Sequence, residues 1–190
     1  MKKLFLCVSI LLTAFTSLSA QAEKAVETIR KYYTAVAEKA RLAESDDEQG
    51  QFGDLVMNEL TINKRDHQWR AVGIFNENYK FFYSGGDSEE HLYPDQLAMV
   101  KVERHSSNRT YHEEFVFSEA GKLIFYFQKA ENDDLVPAER RIYFAGPKAV
   151  RVVEDGKTHD RLTTKDLKNA AAAASEATKI KELFLRSIKL

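Results

Sequence analysis

Residues 111–129 read YHEEFVFSEAGKLIFYFQK, and this stretch carries the clearest structural pattern in the sequence. Tyr111, Glu113, Phe115 and Phe117 recur at two-residue spacing and share one face of a predicted strand. The segment Glu119-Ala120-Gly121 predicts a turn, because glycine adopts positive φ at no steric cost. The run after the turn is apolar on both faces and predicts a central strand. Together they predict an antiparallel hairpin inside a larger sheet.

Similar short patterns extend the predicted sheet in both directions from this hairpin. The further candidate strands are 55–63, 69–75, 79–83, 97–104, 140–145 and 149–153. The loops between them are too short to contain crossover helices, which parallel strands require. We therefore expect a curved antiparallel meander of about six to eight strands.

Two amphipathic helices flank this predicted sheet. Residues 25–44 place apolar side chains at three- and four-residue spacing. A long C-terminal helix begins near Thr163 or Thr164, either of which is a suitable N-cap, and Asp166 is favourably placed in its first turn. The residues predicted to form its apolar face are Leu167, Ala171, Ala174, Ala177, Ile180, Phe184 and Ile188. We expect an α+β domain in which both helices pack on one face of the sheet.

The N-terminal residues 1–22 have the pattern of a cleavable export signal. Two lysines precede the uncharged apolar run 4–15, and the sequence Ala-Gln-Ala that ends at Ala22 matches a signal peptidase site. Cleavage is predicted after Ala22, with a cut after Ala20 as the alternative. Residues 23–190 then form a single domain in the periplasm or outside the cell.

Composition narrows the chemistry that this chain can perform. Cys7 is the single cysteine and lies inside the apolar run, so the processed chain would contain no thiol. Disulfides, thiol catalysis and cysteine-ligated zinc are thereby excluded, and export without disulfides favours a bacterial envelope. A formal net charge of −1 lacks the basic excess typical of nucleic-acid binding, and no later segment is apolar enough to span a membrane.

Three segments carry a resemblance to known sequences. They are 113–117 (EEFVF), 121–125 (GKLIF) and 139–144 (ERRIYF). Their order of strand, glycine turn, strand, acidic loop and strand resembles a pattern in uncharacterised exported proteins of Gram-negative bacteria. The resemblance implies a meandering sheet, and no catalytic residue follows from it.

His112 and Glu114 form the first candidate site. Side chains two residues apart on a strand point to the same face, so the pair has the arrangement of a carboxylate-oriented general base. The alternative is the ordinary polar face of a half-buried sheet. None of the five histidines has the spacing of a metal-binding motif, so we predict no metal site and no cofactor.

Tyr126, Arg141 and Tyr143 form the second candidate site. If one sheet face covers the helices, these three side chains are expected to line the open face. Arginine and tyrosine are enriched among the residues that dominate binding interfaces. The alternative is cross-strand pairing on a solvated sheet.

Two functions remain open on the sequence. The first is a non-catalytic envelope protein that binds a small molecule, a peptide or another envelope protein on the open sheet face. The second is a periplasmic hydrolase that uses His112 and Glu114. The sequence contains no G-x-S-x-G or S-x-x-K nucleophile motif and no glycine-rich phosphate loop, which favours the first. No nucleic-acid partner is expected.

Overall fold

The computed structural model describes the backbone of residues 2–45, 48–51, 53–71, 73–86, 89 and 92–188. Side chains are described from residue 22 onward within these ranges, except those of 49 and 51. The side chains of the predicted export signal before Ala22 therefore lie outside the described residues.

The described residues form helices at both ends of a large sheet. The elements are α1 (Lys2–Ala43), α2 (Glu48–Gln51), β1 (Val56–Ile62), β2 (Gln68–Trp69), β3 (Gly73–Ser84), β4 (Gln96–Ser106), β5 (Arg109–Phe117), β6 (Leu123–Glu131), β7 (Glu139–Ala145), β8 (Lys148–Glu154), β9 (Lys157–His159) and α3 (Thr164–Ile188). The strand order is β1-β3-β4-β5-β6-β7-β8-β9, with β2 paired to β3, and the pairing is antiparallel throughout. The predicted α+β class and antiparallel meander are confirmed.

One face of the sheet packs against α1. Cross-strand partners share a face in an antiparallel sheet, and one such row crosses five strands. Its members are Phe82, Met99, Val116, Phe125 and Tyr143. They form one core cluster with Val26, Ile29, Val36 and Ala40 of α1.

The opposite face packs against α3. The adjacent row consists of Phe81, Val100, Phe115, Tyr126, Ile142 and Val152. These residues cluster with Ala170, Ala173, Ala177, Ile180 and Phe184 of α3. The expectation that both helices cover one face is therefore wrong. The central strands are apolar on both faces, so each face needs its own helix to exclude water.

The buried face of α3 also differs from the predicted one in its first turns. Leu167 is 53% exposed, whereas Ala170 and Ala173 are buried. Five consecutive alanines do not distinguish one helix face from another, so the pattern alone cannot orient this part of the helix. The orientation is consistent with the N-cap, where the backbone N–H and the hydroxyl of Thr163 each donate to Asp166 Oδ2 at 2.8 Å and Asp166 is buried.

Candidate functional site

Helix α1 crosses its sheet face from β8 to β3. Near the start of its described side chains, Glu23 accepts a hydrogen bond from Arg151 of β8 at 2.7 Å. Directly after α1, Glu44 accepts from Lys80 of β3 at 3.2 Å and from Lys101 of β4 at 3.3 Å. The helix covers the apolar row of this face and leaves the strand ends nearer the β4–β5 turn uncovered.

The uncovered part of this face is a polar surface that we call the polar shelf. Its residues are Lys101, Glu103, His112, Glu114, Phe127 and Arg141, joined by the cross-strand pairs Lys101–Glu114, Glu103–His112, Glu114–Phe127 and Phe127–Arg141. A shallow cavity of 180 Å³ opens here and is lined by all of these except Arg141, together with Glu44 and Lys80. The structure therefore brings His112 and Glu114 together in one cavity.

Glu114 is held in place by α1. Its Oε2 accepts a hydrogen bond of 2.7 Å from the hydroxyl of Tyr33. Burial raises the pKa of Tyr33 well above its ordinary value, and the neighbouring Glu114 carboxylate raises it further. Tyr33 thus remains a neutral donor, and Glu114 is an oriented acceptor at the cavity wall.

Two histidines flank Glu103 on the same face. His105 Nε2 lies 2.6 Å from Glu103 Oε1, and His112 Nδ1 lies 3.7 Å from Glu103 Oε2. The other ring nitrogen of His105 lies 3.1 Å from the hydroxyl of Thr110. Glu103, His105 and Thr110 were not predicted as site residues. The available signal was the matched two-residue spacing on both sides of a short turn, which places 103, 105, 110 and 112 on one face.

Arg141 lies at the margin of the shelf. Its guanidinium carbon is 5.8 Å from the centroid of the Phe127 ring, a cation–π geometry. Its Nη2 forms an ion pair with Glu139 at 2.8 Å, and the arginine side chain is 42% exposed. A half-exposed guanidinium stacked on a ring is a rigid, preorganised contact group.

Tyr126 and Tyr143 do not join Arg141 on an open face, which corrects the second candidate site. Tyr143 is 3% exposed and faces α1, where its hydroxyl accepts from Arg30 Nε at 3.4 Å. Tyr126 is 6% exposed and faces α3, where it donates to Glu113 at 2.5 Å. The two tyrosines lie on opposite faces because their strands pair in a register that sets Tyr126 opposite Ile142.

A charged network is buried on the α3 face. Arg104 donates to Glu77 Oε1 at 2.8 Å, to Glu176 Oε1 of α3 at 2.7 Å, and to Glu113. Burial raises the pKa of Glu113, and Arg104 and the hydroxyl of Tyr126 oppose that rise. The network fastens α3 to the sheet and is a structural element rather than an open site.

No family model, curated protein or solved structure matches the chain. In the described part of the chain, no three His, Cys, Asp or Glu side chains converge on a point where a metal ion would be held. Across the same described residues, no helix contains an apolar run of the length that crossing a membrane demands.

Proposed function

We propose that this chain is a non-catalytic binding protein, exported to the cell envelope, whose partner docks on the polar shelf. The supporting observation is the placement of Arg141 on the Phe127 ring, in the same cross-strand row as the oriented Glu114. Arginine and aromatic side chains carry most of the binding energy in many interfaces. The pattern of residues 1–22 supports the proposed export.

The shelf is preorganised before any partner arrives. Tyr33 holds Glu114, and Glu44 holds both Lys80 and Lys101. Donors and acceptors that are already fixed lose less conformational entropy on binding.

The size of the cavity favours a peptide or protein partner over a small molecule. Its volume of 180 Å³ is below the ~300–1,000 Å³ of typical small-molecule sites. A cavity of this size accommodates one inserted side chain, while the surrounding strand surface contacts the rest of a partner.

The test compares two arginine variants in co-purification from envelope extract. Arg141→Ala removes the stacked guanidinium, and Arg161→Ala removes an exposed arginine from the segment between β9 and α3. We expect Arg141→Ala to reduce the amount of captured partner at least tenfold, as loss of an interface hot spot does, and Arg161→Ala to leave it unchanged. Equal capture by both variants contradicts the proposed role of the shelf.

A hydrolase is the second candidate, and the contacts of His105 favour it. The hydroxyl of Thr110, the ring of His105 and the carboxylate of Glu103 form a chain in the order nucleophile, base and orienting acid. Binding is preferred because His105 is 37% exposed and Glu103 is 48% exposed, whereas such catalysis relies on a site that excludes water. Hydrolysis of p-nitrophenyl acetate that is lost in His105→Asn and kept in His159→Asn supports the hydrolase.

A further inference from the structure

An apolar groove lies between α3 and the end of the sheet, on the face opposite the polar shelf. Its volume is 510 Å³, within the range of small-molecule sites. The apolar residues that line it are Phe117, Leu123, Phe144, Pro147, Ala174 and Ala177. Phe117, Phe144 and Ala177 are buried, and the accessible apolar wall of the groove is formed by Leu123, Pro147 and Ala174.

Two lysines stand at this groove, and the residues that line it include no carboxylate. Lys181 of α3 donates to the carbonyl oxygen of Gly121 at 3.1 Å, and Lys122 is the next residue along the turn. Gly121 has a φ of +65°, and a Cβ at this position would collide with Nζ of Lys181. The glycine therefore allows the ammonium to dock at the rim. Lys181 also lines a neighbouring cavity with Asp95 and Glu119, but among the described residues it forms an ion pair with neither, so its remaining hydrogens are available to another acceptor.

We propose that this groove binds a free anionic amphiphile of the fatty-acid class. The acyl chain lies against Leu123, Pro147 and Ala174, and the carboxylate pairs with the ammonium of Lys181. The assignment rests on charge complementarity, because the charged groups that line the groove are two lysines. Apart from the backbone, the other polar group in the lining is the hydroxyl of Thr178, and it donates to the carbonyl oxygen of Ala174 within α3. It is independent of the polar shelf, which lies on the other face.

The experiment titrates the full chain with decanoate, below its micelle concentration, and with uncharged decan-1-ol. Calorimetry on the unmodified chain is expected to give saturable binding of one decanoate, with decan-1-ol bound about tenfold more weakly because it lacks the charged hydrogen bond. Lys181→Gln keeps a donor for Gly121 and removes the charge. This variant is expected to bind decanoate about tenfold more weakly and to bind decan-1-ol with unchanged affinity. Lys168→Gln replaces an exposed lysine on the same helix and is expected to leave the affinity for both ligands unchanged.

A second pair of variants tests the groove itself. Ala174→Phe fills the groove and is expected to abolish saturable binding, whereas Ala172→Phe adds the same ring to an exposed position of α3 and preserves it. Binding that survives Ala174→Phe comes from elsewhere in the chain, such as the apolar residues 4–15, and overturns the proposal. Equal affinity for decanoate and decan-1-ol also overturns it, as does equal weakening by Lys181→Gln and Lys168→Gln. Should Ala174→Phe fail to fold in a thermal melt, the two lysine variants decide the question.

Discussion

Replacing Arg104 with methionine tests the buried network that fastens α3 to the sheet. Methionine keeps an apolar stem of similar length and removes the charge that faces three carboxylates. The Glu113 side chain is only 6% exposed, so it would remain as a buried charge with the hydroxyl of Tyr126 as its main partner. Breaking a buried pair in this way costs about 3–5 kcal/mol. Glu176 is 31% exposed, so solvent screens its interaction with Arg104. We therefore expect Arg104→Met to lower the free energy of unfolding by about 3 kcal/mol, the lower end of this range.

The stability that Arg104→Met loses should depend on pH in a defined direction. Burial already raises the pKa of Glu113 in the folded state, and removal of Arg104 takes away a charge that opposes that rise. A raised carboxyl pKa means that its contribution to stability is complete below the unfolded-state pKa and is lost as pH rises through the folded-state pKa. The deficit of Arg104→Met relative to the unmodified chain is therefore largest near about pH 7 and shrinks toward about pH 4, where Glu113 is protonated.

Urea unfolding followed by circular dichroism at both pH values measures this deficit. Arg141→Met is the matched control, because its half-exposed ion pair with Glu139 is worth less than about 1 kcal/mol. The double variant Arg104→Met/Glu113→Gln removes the stranded charge, and its glutamine still accepts from Tyr126. We expect the double variant to recover about 2 kcal/mol of the unfolding free energy that Arg104→Met loses. A deficit below about 1 kcal/mol, or no recovery in the double variant, refutes the reasoning.

Two further predictions concern the end of the sheet and the cap of α3. Asp166→Ala should cost about 1–2 kcal/mol at neutral pH by urea unfolding. Burial alone would raise the pKa of Asp166, but hydrogen bonds from Thr163 hold this pKa below its ordinary value. The contribution of Asp166 to the free energy of unfolding is therefore present at neutral pH and is lost as pH falls through the folded-state pKa. A stability deficit of Asp166→Ala that grows in acid contradicts this. Gly121→Ala and Gly156→Ala both place a Cβ at positive φ, and each should lower the free energy of unfolding by about 1 kcal/mol in thermal melting. Only Gly121→Ala should also weaken decanoate binding, because it displaces Lys181, and equal binding by both variants contradicts the docking of that lysine.

Local patterns predicted most of the elements. The strand predicted at 111–117, the glycine turn at 121 and the apolar run that follows correspond to β5, its turn and β6. The predicted strands 69–75 and 79–83 are instead the short β2 and one long β3, because 76–78 continue the strand with polar side chains. The three-residue β9 is too short to show a periodic pattern, and it was not predicted.

The candidate site was predicted only in part. His112 and Glu114 share a cavity because strand alternation is a local property. The prediction of one surface containing Tyr126, Arg141 and Tyr143 failed because it needed two facts that a single strand does not contain. These are the register between β6 and β7 and the identity of the helix above each face.

The amino-acid sequence alone was sufficient for the class of the fold, the antiparallel order of the strands and the start of α3, since these follow from side-chain periodicity, turn residues and capping. The assignment of α1 and α3 to opposite faces, the burial of Arg104 among three carboxylates and the docking of Lys181 against Gly121 required the folded chain. Each of these joins residues that are distant in sequence. Such contacts depend on how whole elements pack together, and no local preference encodes that packing.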